Sequence, residues 1–200
     1  MTLYQFKICL DNTKPEIWRV IQLDSKTNLI EFHLAIQIAM VWTNSHLFEF
    51  KIDNQSYQTV YEEEDNFEEN QIIDAGAMTL ERLLLHPGQQ FSYLYDFGDS
   101  WKHTITFEKS ELSSKKFMDP ICIDGASCCP PEDCGGVVGY YEMLNALNSD
   151  DDEKKEEYDE WLGKKFVPDF FDKKEVNKEL KKIDKWIVEW FADDEEDDMI

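Results

Sequence analysis

Apolar and polar residues alternate at the start of the chain. Tyr4, Phe6, Ile8 and Leu10 interleave with Gln5, Lys7 and Cys9, the period of two that a strand with one buried face requires. The turn cluster Asp11-Asn12-Thr13-Lys14-Pro15 follows, and residues 17–23 read as a second strand, so the fold opens on an antiparallel hairpin. Asn28 with Glu31 three residues later has the spacing of a capping box and predicts a helix over 29–42. Leu29, Phe32, Ile36, Ala39 and Met40 lie on one face of that helix, and Ile30, Leu34, Ile38 and Val41 on the other. A helix apolar on both sides is covered on both sides.

Phe48, Phe50 and Ile52 mark a third strand, which residues 57–61 can join across the turn Asp53-Asn54-Gln55. Residues 62–70 read as an acidic loop and 79–85 as a short helix stopped by Pro87-Gly88. Phe91, Tyr93 and Tyr95, then Trp101, His103, Ile105 and Phe107, form the clearest hairpin pattern, with Asp96-Phe97-Gly98-Asp99-Ser100 as its turn. A short helix over 140–147 and a charge-rich insert over 149–157 precede one long helix over 173–191. Its Val176, Leu180, Ile183, Ile187 and Trp190 fall on one face, and Trp186, Trp190 and Phe191 are expected in the core. These elements predict an α+β fold: a single domain over 1–192 with an antiparallel-rich mixed sheet built from hairpins and covered by helices, then an acidic disordered tail over 193–200.

Charge changes the functional picture more than the fold. Forty-three acidic residues against twenty basic ones give a formal net charge of −23, and only Arg19 and Arg82 are arginines. Such a field repels nucleic acid and anionic membrane surfaces, so the expected partner is a protein. The start of the chain lacks a charged segment followed by an apolar run, and no apolar stretch reaches the ~18 residues that span a bilayer. With five cysteines, an odd number, the expectation is a cytoplasmic protein with free or metal-bound thiols.

The thiols concentrate candidate chemistry. Cys122, Cys128, Cys129 and Cys134 lie in a stretch of prolines, glycines and acids that reads as a rigid loop, not as a strand or helix. Cys122, Cys128 and Cys134 together with His103 form a candidate zinc or iron set, because these metals take thiolate and imidazole donors. The spacings lack a Cys-x-x-Cys knuckle, and simple packing of small apolar side chains is the competing reading. Asp96, Asp99, Glu132 and Asp133 form a second candidate group, if the hairpin turn and the cysteine loop meet. Against it stands capping: Asp96 and Asp99 can close their turn around a positive φ at Gly98, and Glu132 and Asp133 can cap a following helix. His33 and His46 read as satisfied core or surface histidines. No nucleophile elbow, His-Glu-x-x-His helix or phosphate loop is present, and Asp96-Phe97-Gly98 lacks the other kinase segments.

Several segments together carry a family resemblance. They are Ile36-Gln37-Ile38-Ala39-Met40-Val41-Trp42, His46-Leu47-Phe48-Glu49-Phe50, Tyr95-Asp96-Phe97-Gly98-Asp99-Ser100-Trp101-Lys102-His103, Pro130-Pro131-Glu132-Asp133-Cys134-Gly135-Gly136, Trp161-Leu162-Gly163 and Phe170-Phe171-Asp172. In their order and spacing the chain resembles the plasmid pRiA4b ORF-3-like family over nearly its whole length. The resemblance implies a family spread across bacteria and archaea, sometimes carried on plasmids and transposons, without an established activity. It thereby implies an accessory role in mobile-element biology as one expectation. The resolvase label some members carry fits poorly, since a serine recombinase needs arginines around its nucleophile and a basic DNA-binding part. Where many relatives carry histidine, residues 150–155 here are Asp150-Asp151-Asp152-Glu153-Lys154-Lys155. The leading expectation is thus a non-catalytic protein-interaction module. The alternative is a metal-binding protein or metal-dependent enzyme built on the 122–134 loop and the 96–103 hairpin.

Overall fold

A computed structural model describes residues 1–60, 72–116, 118–163 and 165–197, with side chains described as far as 192. Eight strands form one mixed sheet: β1 (Thr2–Leu10), β2 (Ile17–Asp24), β3 (Phe48–Ile52), β4 (Gln55–Gln58), β5 (Ile72–Asp74), β6 (Gln90–Tyr95), β7 (Trp101–Leu112) and β8 (Ile121–Ala126). Their order across the sheet is β5-β4-β3-β6-β7-β1-β2-β8. Every pairing is antiparallel except β4 with β5. The two predicted hairpins, β1–β2 and β6–β7, lie side by side through the β1–β7 ladder and form the centre of the sheet. The acidic stretch expected as a loop over 62–70 lies outside the described residues.

Alternation along the strands divides the sheet into two unlike faces. Phe6, Ile8, Leu10, Ile21, Phe50, Tyr93, Ile105 and Phe107 point to one face and are buried. The other face is polar and carries paired side chains such as Gln5 with Glu108 at 2.8 Å and Gln22 with Glu111 at 2.9 Å. A sheet with one wet face is the usual state of antiparallel ladders.

Helix α1 (Leu29–Met40) packs on the apolar face, with Phe32 wedged between Phe6 at 4.8 Å and Phe50 at 5.6 Å. Both halves of the capping box form: Asn28 Oδ1 accepts from Glu31 N and Glu31 accepts from Asn28 N, each at 2.9 Å. Every α1 residue except Glu31 is buried, because α4 (Lys173–Leu180) and α5 (Ile183–Asp197) cover its far side. The order is therefore sheet, α1, then the C-terminal helices. Among the described residues no helix is long and apolar enough to cross a membrane.

Several expectations are corrected. The single helix over 173–191 is kinked at Lys181–Lys182, where Lys182 N donates to Glu179 O and Lys185 N to Lys182 O in tightened i to i+3 bonds. Leu180 and Ile183 stay in the core through the kink, Trp186 and Trp190 are half-buried, and Phe191 is exposed. The charge-rich insert is helix α3 (Asp152–Leu162), capped by Asp151 and resting on Tyr158 and Leu162, one turn apart. Residues Leu80–Leu83 form a 3-10 turn instead of a longer helix. The first part of the cysteine segment is not a loop but the edge strand β8. A bulge against β2 and the side-chain amide of Asn177, bonded to both Cys122 N and Cys122 O, accommodate it there.

Helix α1 ends at Met40, two residues before the expected end, and Val41 caps it. This β-branched residue is 70% exposed and held at φ 65°, with its N–H turned back to the Gln37 and Ile38 carbonyls. A left-handed conformation costs a non-glycine residue about 1–2 kcal/mol. Val41→Gly should therefore raise stability by about 0.5–1 kcal/mol after glycine's larger unfolded-state entropy is counted. Urea denaturation checks this, and a lower midpoint in the variant refutes it.

Candidate metal centre

Three loops meet where α1, the β6–β7 hairpin and the segment before α2 (Gly136–Leu147) end. They are residues 41–47, 95–101 and 127–136. Their backbones are unusually contorted: Val41, Asn44, Asp96, Ser100, Ser127 and Asp133 all have positive φ, as do Gly135 and Gly136. Strain gathered at one place is what a functional site with fixed geometry needs. Gly136 is one position that only glycine can fill. Its φ is +67°, and a Cβ there would stand 2.4 Å from the Asp99 carbonyl oxygen.

The side chains His46, Asp96 and Asp133 converge at this junction. His46 Nε2 lies 3.3 Å from Asp133 Oδ1 and 3.7 Å from Asp96 Oδ2, and one ligand atom from each residue falls within 4.8 Å of the other two. Four ligands held at about 2.1 Å around a tetrahedral ion stand about 3.4 Å apart, close to the two separations between His46 Nε2 and the carboxylate oxygens. His46 Nε2 is itself shielded from solvent and makes no hydrogen bond. Asp96 is held by its other oxygen, which accepts from Gly98 N at 2.8 Å and Asp99 N at 3.3 Å, leaving Oδ2 directed to His46. The Asp96 side chain is 10% exposed and that of Asp133 is 72% exposed, so the trio is closed behind and open in front.

A second set of hydrogen bonds fixes the three donors from behind. Tyr95 Oη donates to Glu132 Oε1 at 2.5 Å and accepts from Ser45 N at 2.9 Å. Glu132 Oε2 also accepts from Thr43 N at 2.8 Å and Thr43 Oγ1 at 2.6 Å. Ser45, Tyr95 and Glu132 immediately precede His46, Asp96 and Asp133 in the chain, so one hydrogen-bonded knot orients all three donor residues. Burial and the neighbouring Glu132 carboxylate push the Tyr95 phenol well above its ordinary range, so it stays protonated as the donor. Asp99 Oδ2 accepts from Gly135 N at 3.1 Å and Trp42 Nε1 donates to Pro130 O at 2.9 Å, so the third loop is tied to both of the others.

Of the residues singled out in the sequence, Asp96, Asp99, Glu132 and Asp133 are brought to one place as the meeting of the two loops requires. The capping alternative holds for Asp96 alone. The positive φ in its turn belongs to Asp96 and Ser100 rather than Gly98, and Gly135 occupies the N-cap of α2, which has no side-chain cap. Among the described residues, Cys122, Cys128, Cys134 and His103 do not form a comparable group. Cys122 is buried on β8, and Cys134 is half-buried and turned to the Gly136 carbonyl. Cys128 is half-buried beside Cys129, which packs against Arg19 and Met40. Burial raises the Cys122 and Cys129 thiols to about 11 and the Cys134 thiol to about 12. His103 is enclosed between Trp42 at 5.4 Å and Tyr93 at 5.2 Å.

The imidazole of this site is His46, which its local sequence assigns to core or surface. Its two acidic partners are fifty and eighty-seven residues away. A signal was available: His46, Asp96 and Asp133 each belong to a different segment among those that carry the family resemblance. The plasmid pRiA4b ORF-3-like protein family matches residues 2–175. The chain belongs to this family. It is similar to the uncharacterized protein y4hQ of Sinorhizobium fredii (strain NBRC 101917 / NGR234), with 34% identity over 163 residues and 81% of each chain covered. Among solved structures it is similar to the protein of unknown function MM3350 from Methanosarcina mazei Go1. The TM-score there is 0.76 and the identity 31%, over 88% of this chain and 96% of that one. The family's function is not established in these relatives, and the geometry of the junction is therefore the guide to function.

Proposed function

We propose that this pRiA4b ORF-3-like protein binds a divalent transition metal at the three-loop junction, through His46 Nε2, Asp96 Oδ2 and Asp133 Oδ1. The observation that supports it is the unbonded His46 Nε2, screened from solvent and facing two carboxylate oxygens at coordination spacing. One imidazole and two carboxylates suit zinc, iron(II) or manganese(II), and three protein donors leave room for water or a substrate oxygen. A metal so held can polarise a carbonyl or lower the pKa of bound water, the two services of a metal-dependent enzyme. The acidic surface also suits a protein-interaction module, but surface charge alone specifies no geometry, whereas the three donors do.

Calorimetric titration of chelator-treated protein with Zn²⁺ and Mn²⁺ tests this reading. One site per chain is expected. His46→Ala and Asp96→Asn should weaken binding by about 100-fold or more, and asparagine keeps the Oδ1 that closes the turn. Tyr95→Phe should cost about 10-fold, the usual effect of losing a group that orients a ligand. Wild type that takes up no metal, or variants that bind as well as wild type, would sink the reading.

A further inference from the structure

Loop 41–47 carries the imidazole of the junction, and most of its anchors are loops themselves. Trp42 Nε1, Thr43 and Ser45 N reach Pro130, Glu132 and Tyr95, all in the other two loops. Asn44 is tied differently. Its Oδ1 accepts from His33 Nε2 at 2.5 Å, and His33 is a fully buried residue of α1. This bond joins the loop to the packed core two residues before His46. Asn44 stands there at φ 61°, a conformation that asparagine adopts more readily than most residues, so the loop turns at the point where the core grips it.

His33 is itself held from several sides. Its ring stacks on Phe48 at 3.9 Å with an interplanar angle of 12°, and Trp190 of α5 meets it edge-on at 5.5 Å. Its Nδ1 accepts from Tyr93 Oη at 2.8 Å, and that oxygen in turn accepts from Gln37 Nε2 at 2.8 Å. Gln37, Tyr93 and His33 are all fully buried, so three hydrogen bonds of one polarity run from the core and end on Asn44. Releasing Asn44 would strand the His33 N–H in a dry interior. Packing alone does not call for an imidazole here, because phenylalanine would fill the slot between Phe48 and Trp190 without a buried polar chain to satisfy.

We infer that His33 is a positioning residue for the metal: through Asn44 it fixes loop 41–47 so that His46 Nε2 faces Asp96 Oδ2 and Asp133 Oδ1. This rests on the metal reading above and adds a fixed point on the core side of the loop to the Tyr95–Glu132 knot. Its test is Zn²⁺ titration calorimetry of chelator-treated wild type, His33→Phe, His33→Gln, Asn44→Gly and the double variant of His33→Phe with Asn44→Gly, with urea midpoints measured alongside. Glycine accepts the positive φ at position 44, so it removes the side chain without backbone strain. His33→Phe and Asn44→Gly should each weaken Zn²⁺ binding about tenfold. The double variant should also lose only about tenfold, because both changes remove the same bond. His33→Gln retains an N–H donor and should stay within about threefold of wild type. A histidine that serves packing alone would lower the urea midpoint in His33→Phe and leave Zn²⁺ affinity unchanged in both single variants. That result, or losses that multiply to about 100-fold in the double variant, overturns the inference and leaves the metal reading standing. If His33→Phe does not fold, Asn44→Gly decides alone, by a tenfold loss or by none. Wild type that takes up no Zn²⁺ overturns both.

Discussion

Arg19→Met is expected to destabilise the protein by about 3–5 kcal/mol and to loosen the three-loop junction along with the fold. Arg19 is fully buried, yet its guanidinium meets no carboxylate. Its five hydrogen bonds go to Trp18 O, Ala39 O, Ala126 O, Ser127 O and Cys129 Sγ. Phe171 covers the guanidinium at 3.9 Å, and Gly125 keeps clear the space that both side chains need. Methionine fills most of the volume but strands several buried carbonyls, each worth about 1–3 kcal/mol when left unpaired. Two of these carbonyls root the junction: Ala39 lies at the end of α1, before the loop bearing His46, and Ser127 begins the loop bearing Asp133. Arg19→Lys should recover only part of the loss, because three donors on a point charge cannot span that fan of acceptors. Guanidinium denaturation of both variants decides the matter. A methionine variant within about 1 kcal/mol of wild type would show that the buried cation is dispensable.

Acid is expected to unfold this protein at mild pH. Burial lowers the pKa of His33 to about 3 and that of His103 to about 4, from an ordinary value of 6.5. His33 sits between Tyr93 Oη at 2.8 Å and Asn44 Oδ1 at 2.5 Å, with its ring stacked 3.9 Å from Phe48. Asn44 Oδ1 can only accept, so His33 carries its proton on Nε2 and accepts from Tyr93 Oη at Nδ1. Neither ring nitrogen of His103 makes a well-directed hydrogen bond, although backbone groups of Trp101 and Tyr93 lie near enough to favour the proton. In both cases the unfolded chain binds a proton that the folded chain refuses. The stability they contribute is complete above pH 6.5 and is lost as pH falls toward 4 and then 3. With two such groups the slope approaches about 2.7 kcal/mol per pH unit below pH 6. Relief of self-repulsion by protonating carboxylates acts the other way, but free carboxyl groups ordinarily lie near pH 4, below the window of this prediction. Denaturation midpoints at pH 7.5, 6.0 and 5.0 should fall steadily. A midpoint that holds level or rises over that range contradicts the account.

Local pattern explains which parts of this fold the sequence disclosed. The β1–β2 and β6–β7 hairpins, the capping box of α1 and its all-round apolar surface depend on residues within a few positions of one another, and each formed as expected. Helix α3 was hidden because its face is almost wholly charged, and only Tyr158 and Leu162 mark the side that rests on the core. Strand β8 was hidden because its edge is finished by a side chain, Asn177, fifty-five residues from Cys122. The acidic half of the candidate site was legible as two acid-bearing loops, while its imidazole was not. Nothing around His46 distinguishes it until Tyr95 and Glu132 bring its loop beside Asp96 and Asp133.

The central claim is that those three residues share a metal ion, and anomalous diffraction from crystals grown with Zn²⁺ or Mn²⁺ tests it most directly. The account predicts one strong peak about 2.0–2.2 Å from His46 Nε2, Asp96 Oδ2 and Asp133 Oδ1. A peak at the thiols of Cys122, Cys128 or Cys134 with nothing at the junction, or no peak at either place, would contradict it.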